Sequence, residues 1–425
     1  MSACLSSTVR FTVAIDLAKQ HHVATIFDAK LLKPCEVVRI SVTALGFEHF
    51  KARLDHYSGN VTDFIIGCEA TGHYGETLLK WLQHRGYSII RLNPAQVVQF
   101  RRGLGVRAKT DELDADAMAR QLAVIHAKPD LQVGEHAERL RRLSRLRLDF
   151  VEEQSRWINR VRALINQMCP ESEVLFKDFT APSTLAVLQA FPSRIALAQV
   201  PVTELSEVAR KSSHGIRSLD FARQLQTVAQ QSIGLDDPWL TDELLIIVKQ
   251  LMHLVTVIEQ LDVQIDIHTK AYLVEHSLAH GFQVPLTPSA FPIRGTLALG
   301  TILGEIGSIE RFESLNHLLS YFGWCPQTAE SGTLANPHPA LSPKGNRFAR
   351  RILFLQAVCA IRCLPEYQAY FAERTRSGKT KMKTLIAVGR KLLSVIVAVL
   401  RSGQPYIPDR YLERMQKVRQ ASSSA

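Results

Sequence analysis

The sequence has few features of secreted, disulfide-bonded or membrane-spanning proteins. Its seven cysteines are scattered and never spaced as Cys-x-x-Cys, which argues against a disulfide framework or a structural zinc site and favours a reducing compartment. The longest unbroken apolar runs, such as 395–400, are far shorter than the roughly 20 residues that a membrane helix needs. No basic segment leads into an apolar one at the N-terminus, so no secretory signal is predicted. We therefore expect a cytoplasmic protein with no membrane partner.

What the chain does contain is positive charge and enough apolar residues to fold. It has 425 residues, 46% of them hydrophobic, and a mean hydropathy near zero, which indicates a soluble globular protein of two or three domains. The net charge is +11, a balance that favours a polyanionic partner. Between Lys344 and Arg401 there are thirteen Lys or Arg residues and only two acids. Nucleic acid is the expected partner.

The N-terminal part alternates between apolar runs and helical patterns, which predicts an α/β domain with a mixed sheet over residues 8–130. The predicted strands are 11–16, 22–27, 36–40, 64–69 and 87–91. The predicted helices are 45–54, 75–85 and one that follows the capping pair Asn93-Pro94.

The remainder of the chain is predicted to be all-α. Residues 131–284 contain two long helices, 138–168 and 240–274, which flank a helical insert at 170–236, and the second long helix suits antiparallel pairing with the first. Residues 285–407 form a C-terminal helical domain, and 408–425 a tail. The first long helix carries eight arginines beside its apolar stripe, a pattern typical either of a solvated surface or of a coiled coil that dimerises and also contacts phosphate.

Four carboxylates have the spacing of a divalent-metal site. Asp16 and Glu69 each end an apolar strand, where burial without a partner would cost several kcal/mol. Asp111 and Asp114 share one helix face, with Cβ atoms about 5–6 Å apart. Mg²⁺ prefers oxygen ligands and keeps several waters, so a few carboxylates and a substrate phosphate suffice. Alternatively, the acids of the first helical turn are ordinary capping residues favoured by the helix dipole.

Two further sets of residues suit work on a phosphodiester. Ser331 precedes a glycine in a polar segment, which is either a commonplace turn or the position of a nucleophile. No histidine and acid nearby suggest a hydrolase triad, so an attacking serine would depend on arginines and a metal ion to stabilise the developing charge. The candidate nucleic-acid-binding residues flank the two sites: Arg101, Arg102, Arg107, Lys109, Lys344, Arg347, Arg350 and Arg351.

These motifs together resemble a known family. The order Asp16, Glu69, Asp111, Asp114, with the stretch Lys109-Thr110-Asp111-x-x-Asp114-Ala115, resembles the DEDD transposases of the insertion-sequence family IS-one-ten (IS110). A second block, from Glu305-Ile306-Gly307 through Ser331-Gly332 to Gly345-Asn346, is similar to that family's C-terminal transposase domain. The resemblance covers residues 10–165 and 285–365 in the correct order.

The resemblance implies a RuvC-like ribonuclease-H fold for the first domain, with Mg²⁺ bound by the four acids. It implies that Ser331 forms a covalent phosphoserine link to DNA. A coiled coil would join subunits into a dimer or tetramer, so that the acids of one protomer and the serine of another share an active site. A structured non-coding RNA of the element, the bridge RNA, would pair with donor and target DNA in the bacterial cytoplasm.

Two other functions fit the sequence and are kept open. One is a RuvC-type nuclease that hydrolyses DNA with metal-activated water, in which Ser331 is structural. The other is a basic, non-enzymatic nucleic-acid-binding protein whose acids only cap helices.

Overall fold

The structure is a computed structural model that describes residues 9–69, 74–92, 94–105, 110–124, 134–212, 219–325, 341 and 344–408. The chain divides into two compact units, Met1–Gln132 and Val133–Ala425. Of the predicted tail, only residue 408 lies within the described residues.

The first unit is a five-stranded mixed sheet with helices on both faces. Its strands are β1 (Phe11–Asp16), β2 (His21–Asp28), β3 (Lys33–Ser41), β4 (Phe64–Glu69) and β5 (Ser88–Leu92). Its helices are α1 (Ala44–Tyr57), α2 (Glu76–Gln83), α3 (Pro94–Gly103) and α4 (Asp111–Val124). The strand order is β3-β2-β1-β4-β5. β1, β2 and β3 pair antiparallel, whereas β4 is parallel to both β1 and β5.

The alternation of side chains along β1 separates the two faces of this sheet. Phe11, Val13 and Ile15 pack in a core with residues of α1 and α2. Ala14 packs on the opposite face with residues of α3 and α4, and the buried Thr12 hydroxyl donates to the carbonyl of Ala119 in α4 at 3.0 Å. The face that carries the even-numbered residues of β1 is therefore the face that α4 covers.

The second unit is helical throughout its described residues. Its helices are α5 (Glu135–Met168), α6 (Pro182–Ala190), α7 (Arg194–Gln199), α8 (Val202–Lys211), α9 (Leu219–Gln231), α10 (Pro238–Ala279), α11 (Thr296–Ile306), α12 (Leu315–Tyr321), α13 (Arg347–Cys363), α14 (Pro365–Arg376) and α15 (Lys381–Ser402). Short 3₁₀ turns occur at Val61–Asp63 in the first unit and at Pro170–Leu175, Pro288–Ala290 and Ile309–Arg311 in the second.

The two long helices, α5 and α10, run antiparallel. His136 near the start of α5 contacts His268 near the end of α10, with 3.0 Å between their Nδ1 atoms. Farther along α5, Arg147 forms an ion pair with Asp262. The last turns of α5 pack with the first half of α10 in a core that also holds α6 to α9, and the opposite ends of both helices pack with α11 to α15 in a second core.

The predicted fold class is confirmed in its coarse form, a mixed α/β part followed by a helical remainder. Both long helices are longer than predicted. The earlier start of α10 follows from Asp237, which caps its first turn, and from Pro238 in the first position. The third strand is also longer, Lys33–Ser41 rather than 36–40. The division of the second unit into 131–284 and 285–407 stays a prediction.

One described helix, α10, is long and apolar enough to cross a membrane by length and composition alone. The lengths of the unbroken apolar runs did not predict such a helix, because polar residues interrupt the apolar residues throughout α10. Its buried residues, including Leu244, Leu251 and Ile265, line the two cores of the second unit. A core helix of a soluble protein passes the same test.

Candidate metal centre and active site

Asp16 and Glu69 end two neighbouring parallel strands. The register of β1 and β4 pairs Ile15 with Cys68, so the next position along each strand places Asp16 beside Glu69, with about 4.8 Å between the strands. Alternation puts both on the face of Ala14 and Ile65, the face that α4 covers. Both side chains are half-buried. The sheet therefore brings together the two acids that the sequence assigned to strand ends.

A glycine allows α4 to lie close to these strands. A Cβ at Gly67 would collide with the end of the Leu122 side chain. Gly67 lies two residues before Glu69 and on the same face of β4, so the close approach occurs beside the acid.

α4 begins at Asp111, so Asp111 and Asp114 lie on one helix, as predicted. The Thr110 side chain accepts a hydrogen bond from the backbone N–H of Leu113 at 3.2 Å, which satisfies one of the free donors of the first turn. The Asp111 side chain lies outside the described residues, whereas Asp114 is half-buried one turn along the helix. Asp114 forms an ion pair with Arg101 of α3. Arg101, predicted to bind nucleic acid, therefore neutralises one of the predicted metal ligands.

The described side chains alone do not form a metal cluster. Among them, no group of three or more His, Cys, Asp or Glu lies close enough to hold an ion, and only three of the four predicted ligands have described side chains. The donor set itself fits Mg²⁺, since all four groups are carboxylates and two of them are adjacent at half-buried strand ends. A cation bound there would compete with Arg101 for Asp114.

The remaining predicted residues lie in three places. Arg102 is exposed on α3, and Arg107 and Lys109 lie outside the described residues, as does Ser331. The C-terminal candidates cluster at the start of α13, where the Arg350 guanidinium donates to the carbonyl of Lys344 at 2.6 Å. Arg347 is exposed there, and Arg351 forms an ion pair with Glu152 of α5.

The sequence did not reveal a buried ionic network in the second unit. Glu305, near the end of α11, is fully buried, and Arg145 of α5 donates to both of its carboxylate oxygens, at 2.8 and 2.9 Å. The side-chain amide of Asn346 also donates to Glu305, at 2.5 Å, and its Oδ1 caps α13 by accepting from Phe348 and Ala349. The hydrogen bond to Glu305 raises the pKa of Arg145, although burial acts in the opposite direction.

The sequence gives only a weak indication of this ionic network. Glu305 and Asn346 stand in the motif block, but 160 residues separate Glu305 from Arg145, and Arg145 is one of eight arginines on its helix. A charged residue inside the apolar helix 296–306 was the only local sign that a buried partner was needed.

Comparison with known proteins identifies the family. A family model for the DEDD transposases of IS110 matches residues 13–170. A second model, for the Transposase IS116/IS110/IS902 family, matches residues 291–372. The insertion element IS110 43.6 kDa protein of Streptomyces coelicolor is 27% identical over 70% of this chain and 72% of its own length. The pilin gene-inverting protein of Moraxella bovis is 23% identical over 83% of this chain and 84% of its own.

A solved structure of T. thermophilus RuvC in complex with a Holliday junction substrate aligns with 27% of this chain and 92% of its own chain, at 15% identity and a TM-score of 0.21. The two matched family regions carry both motif blocks, in order, on one chain. The chain belongs to the IS110 family of insertion-sequence transposases.

Proposed function

We propose that this transposase cuts and rejoins DNA through a covalent phosphoserine intermediate formed by Ser331, with Mg²⁺ held by Asp16, Glu69, Asp111 and Asp114. The observation that carries the proposal is the register of β1 and β4, which puts the Asp16 and Glu69 positions side by side on the face of α4. The first unit would then be a RuvC-like ribonuclease-H domain.

In the proposed reaction the Ser331 hydroxyl oxygen attacks the phosphorus of one strand. A bond from serine to phosphorus forms as the bond from phosphorus to a deoxyribose oxygen breaks. The serine gives up its hydroxyl proton, and the departing deoxyribose oxygen takes up one proton. The hydroxyl of another strand end then attacks the phosphoserine, which restores a phosphodiester and frees the serine. A bound Mg²⁺ would stabilise the charge that develops on the phosphoryl oxygens. No water is consumed, so the ends can be joined to new partners.

The proposed partners follow from the family and from the charge of the chain. DNA of the donor and target would be the substrate, and a structured guide RNA of the element would select the sites. The net charge of +11 suits both polyanions. A dimer or tetramer, formed through the long helices, would supply the acids and the serine from different protomers.

Trapping the intermediate tests the mechanism. Labelled DNA carrying an element end is incubated with Mg²⁺ and the element's non-coding RNA, and the products are denatured and separated. The wild type is expected to yield a protein–DNA adduct, whereas Ser331→Ala and Asp16→Ala yield none. An adduct of undiminished amount in Ser331→Ala would remove the serine role.

The same experiment separates the alternative functions. Cleavage without any adduct, dependent on the acids, would indicate a RuvC-type nuclease that uses water. Salt-dependent binding that is unchanged by Asp111→Asn or Asp114→Asn, with no cleavage at all, would indicate a non-enzymatic binding protein. Omitting the RNA tests its role, because guided recombination stops without it.

A further inference from the structure

Arg141 lies at a tight contact between α5 and α11. A Cβ at Gly304 of α11 would come within 2.6 Å of the backbone nitrogen of Arg141. The two helices therefore touch at this residue, and the Arg141 side chain is half-buried at the edge of their interface. The contact fixes the backbone position of Arg141 against α11.

The charges around Arg141 do not balance. The charged groups that face it are Arg145, Arg311 and Glu305, with the Tyr321 hydroxyl. Glu305 is already engaged by Arg145 and by Asn346. Within the described part of the second unit, Arg141 has no carboxylate at ion-pair distance. Burial is the largest cause of the lowered pKa of Arg141, and Arg145 and Arg311 also lower this pKa, whereas Tyr321 and Glu305 raise it. The guanidinium stays charged at neutral pH, so it would gain from an anion.

Hydrogen bonds and a ring contact position two neighbours of Arg141, Tyr321 and Arg311, and both carry hydrogen-bond donors. Asn346 Nδ2 lies 3.1 Å from the Tyr321 hydroxyl oxygen and donates to it, which leaves the tyrosine's own proton to donate elsewhere. Arg311 uses Nη1 to donate to the carbonyl of Ile306 at 3.0 Å, and its guanidinium lies 5.7 Å from the centre of the Tyr321 ring. Arg311 and Tyr321 are both half-exposed.

We propose that Arg141, Arg311 and the Tyr321 hydroxyl form a binding site for one phosphate group of a nucleic-acid backbone. This site rests on one part of the proposed function, namely that the second unit binds nucleic acid. Guanidinium groups match phosphate oxygens in geometry and charge. A hydroxyl donor beside them adds a third hydrogen bond, and the net positive charge of the chain favours a polyanion over a small acid.

The site is related to the motif block that contains Ser331. Tyr321 ends α12, and the backbone N–H of Asn346 donates to the Tyr321 carbonyl at 2.8 Å. Tyr321 and Asn346 thus lie together on the two sides of residues 326–343 in the chain. A phosphate bound by Arg141 and Tyr321 would therefore contact a residue of this motif block.

The test compares Arg141→Gln with Arg142→Gln in the full-length protein. Arg142 is the matched control, since it is the next residue of α5, is 65% exposed in its side chain and pairs with Glu138 at 2.9 Å within the helix. Binding of a DNA duplex and of an RNA duplex of the same sequence is measured at several salt concentrations. Ser331→Ala serves as the background, so that binding is measured without chemistry.

We expect Arg141→Gln to reduce the dependence of log K on log salt by about one for the duplex that occupies the site. Its dissociation constant at low salt rises about tenfold, Arg141→Lys recovers part of the affinity, and Arg142→Gln changes the slope much less. A reduced slope for DNA alone, RNA alone or both supports the site and shows which nucleic acid occupies it. Unchanged slopes with both duplexes, or equal losses in Arg141→Gln and Arg142→Gln, overturn it.

Thermal unfolding distinguishes a binding residue from a structural one. Because Arg141 has no carboxylate partner among the described residues, Arg141→Gln is expected to leave the melting temperature unchanged or higher, whereas Arg145→Gln lowers it. A lower melting temperature in Arg141→Gln with no change in salt slope would make Arg141 structural and overturn the proposal. If the wild type forms no protein–DNA adduct but Arg141→Gln still weakens nucleic-acid binding, the proposed serine chemistry is wrong and the phosphate site stands.

Discussion

Glu69 and Glu305 show two ways in which this protein holds a carboxylate near the end of a structural element. Glu69 ends β4, half-buried, and its side chain makes no ion pair or hydrogen bond with another described residue. Glu305 is fully buried near the end of α11, and three side-chain hydrogen bonds from two residues satisfy it. A carboxylate neutralised inside the fold stabilises the fold, whereas one without an internal cation remains able to bind an external one.

The largest expected effect separates these two glutamates by activity. We expect Glu69→Gln to lower the rate of Mg²⁺-dependent strand cleavage by at least about a hundredfold, because one carboxylate ligand is lost. Its free energy of unfolding should change by less than about 1 kcal/mol, since the side chain is half-exposed. Cleavage kinetics and urea denaturation measure the two quantities. Glu76→Gln is the control, as Glu76 pairs with Arg91 in the same unit, and equal activity losses in both variants would contradict the metal role.

Breaking the ionic network of the second unit should act on stability. Arg145→Gln is expected to lower the free energy of unfolding by about 2–3 kcal/mol, because it leaves Glu305 buried with only the Asn346 amide. The value is smaller than for a fully buried pair, because the Arg145 side chain is 39% exposed. The double variant Arg145→Met/Glu305→Leu should recover most of the loss, since it buries no charge. A single variant as stable as the wild type would show that the pair does not hold the unit together.

Substitution of two glycines compares how rigidly the two units are packed. Gly304→Ala is expected to lower the free energy of unfolding by about 2 kcal/mol, because its Cβ would meet the backbone of α5, which moves only with its helix. Gly67→Ala should lower it by about 1 kcal/mol, because its Cβ would meet the movable end of the Leu122 side chain. Gly59→Ala, whose Cβ would meet nothing within 4 Å, is the control. The reverse order would mean that the sheet and α4 are packed more rigidly than the helical interface.

The smallest effect concerns a half-exposed pair, His280 and Glu310, 2.6 Å apart. Burial lowers the pKa of His280, but hydrogen bonds to the His276 carbonyl and to Glu310 outweigh it and raise the pKa above its ordinary 6.5. Burial raises the pKa of Glu310, but hydrogen bonds from Ser308 and His280 outweigh it and lower the pKa below 4.5. The His280 contribution is complete below pH 6.5 and is lost as the pH rises through the raised pKa. The Glu310 contribution is complete above pH 4.5 and is lost as the pH falls through the lowered pKa.

The pair should therefore contribute most between these two limits. We expect His280→Gln to lower the free energy of unfolding by about 0.5–1 kcal/mol near pH 5.5 and by less near pH 8.5. The exposed His253 of α10 provides the control substitution, His253→Gln. Urea denaturation at both pH values measures the difference. An equal loss at both values would mean that the pair is not ionic.

The elements of the first unit were predictable, because apolar runs that end in Asp16 and Glu69 have the length and composition of strands. A helix that carries Asp111 and Asp114 was also predictable, because acids are favoured in a first helical turn. The pairing of Asp114 with Arg101 was not predictable, since Arg101 lies on a different helix and a basic residue near acids also suits phosphate binding. In the second unit, the partner of Glu305 was hidden among eight similar arginines.

The sequence by itself determined where strands and helices form, that the chain is basic and to which family it belongs, because these depend on local pattern and composition. Only the tertiary structure decided that Asp16 lies beside Glu69, that Arg145 neutralises Glu305 and that no carboxylate of the described residues pairs with Arg141. Strand register and helix packing join residues that are far apart in the chain, and the charge that one side chain leaves unpaired depends on all its neighbours at once.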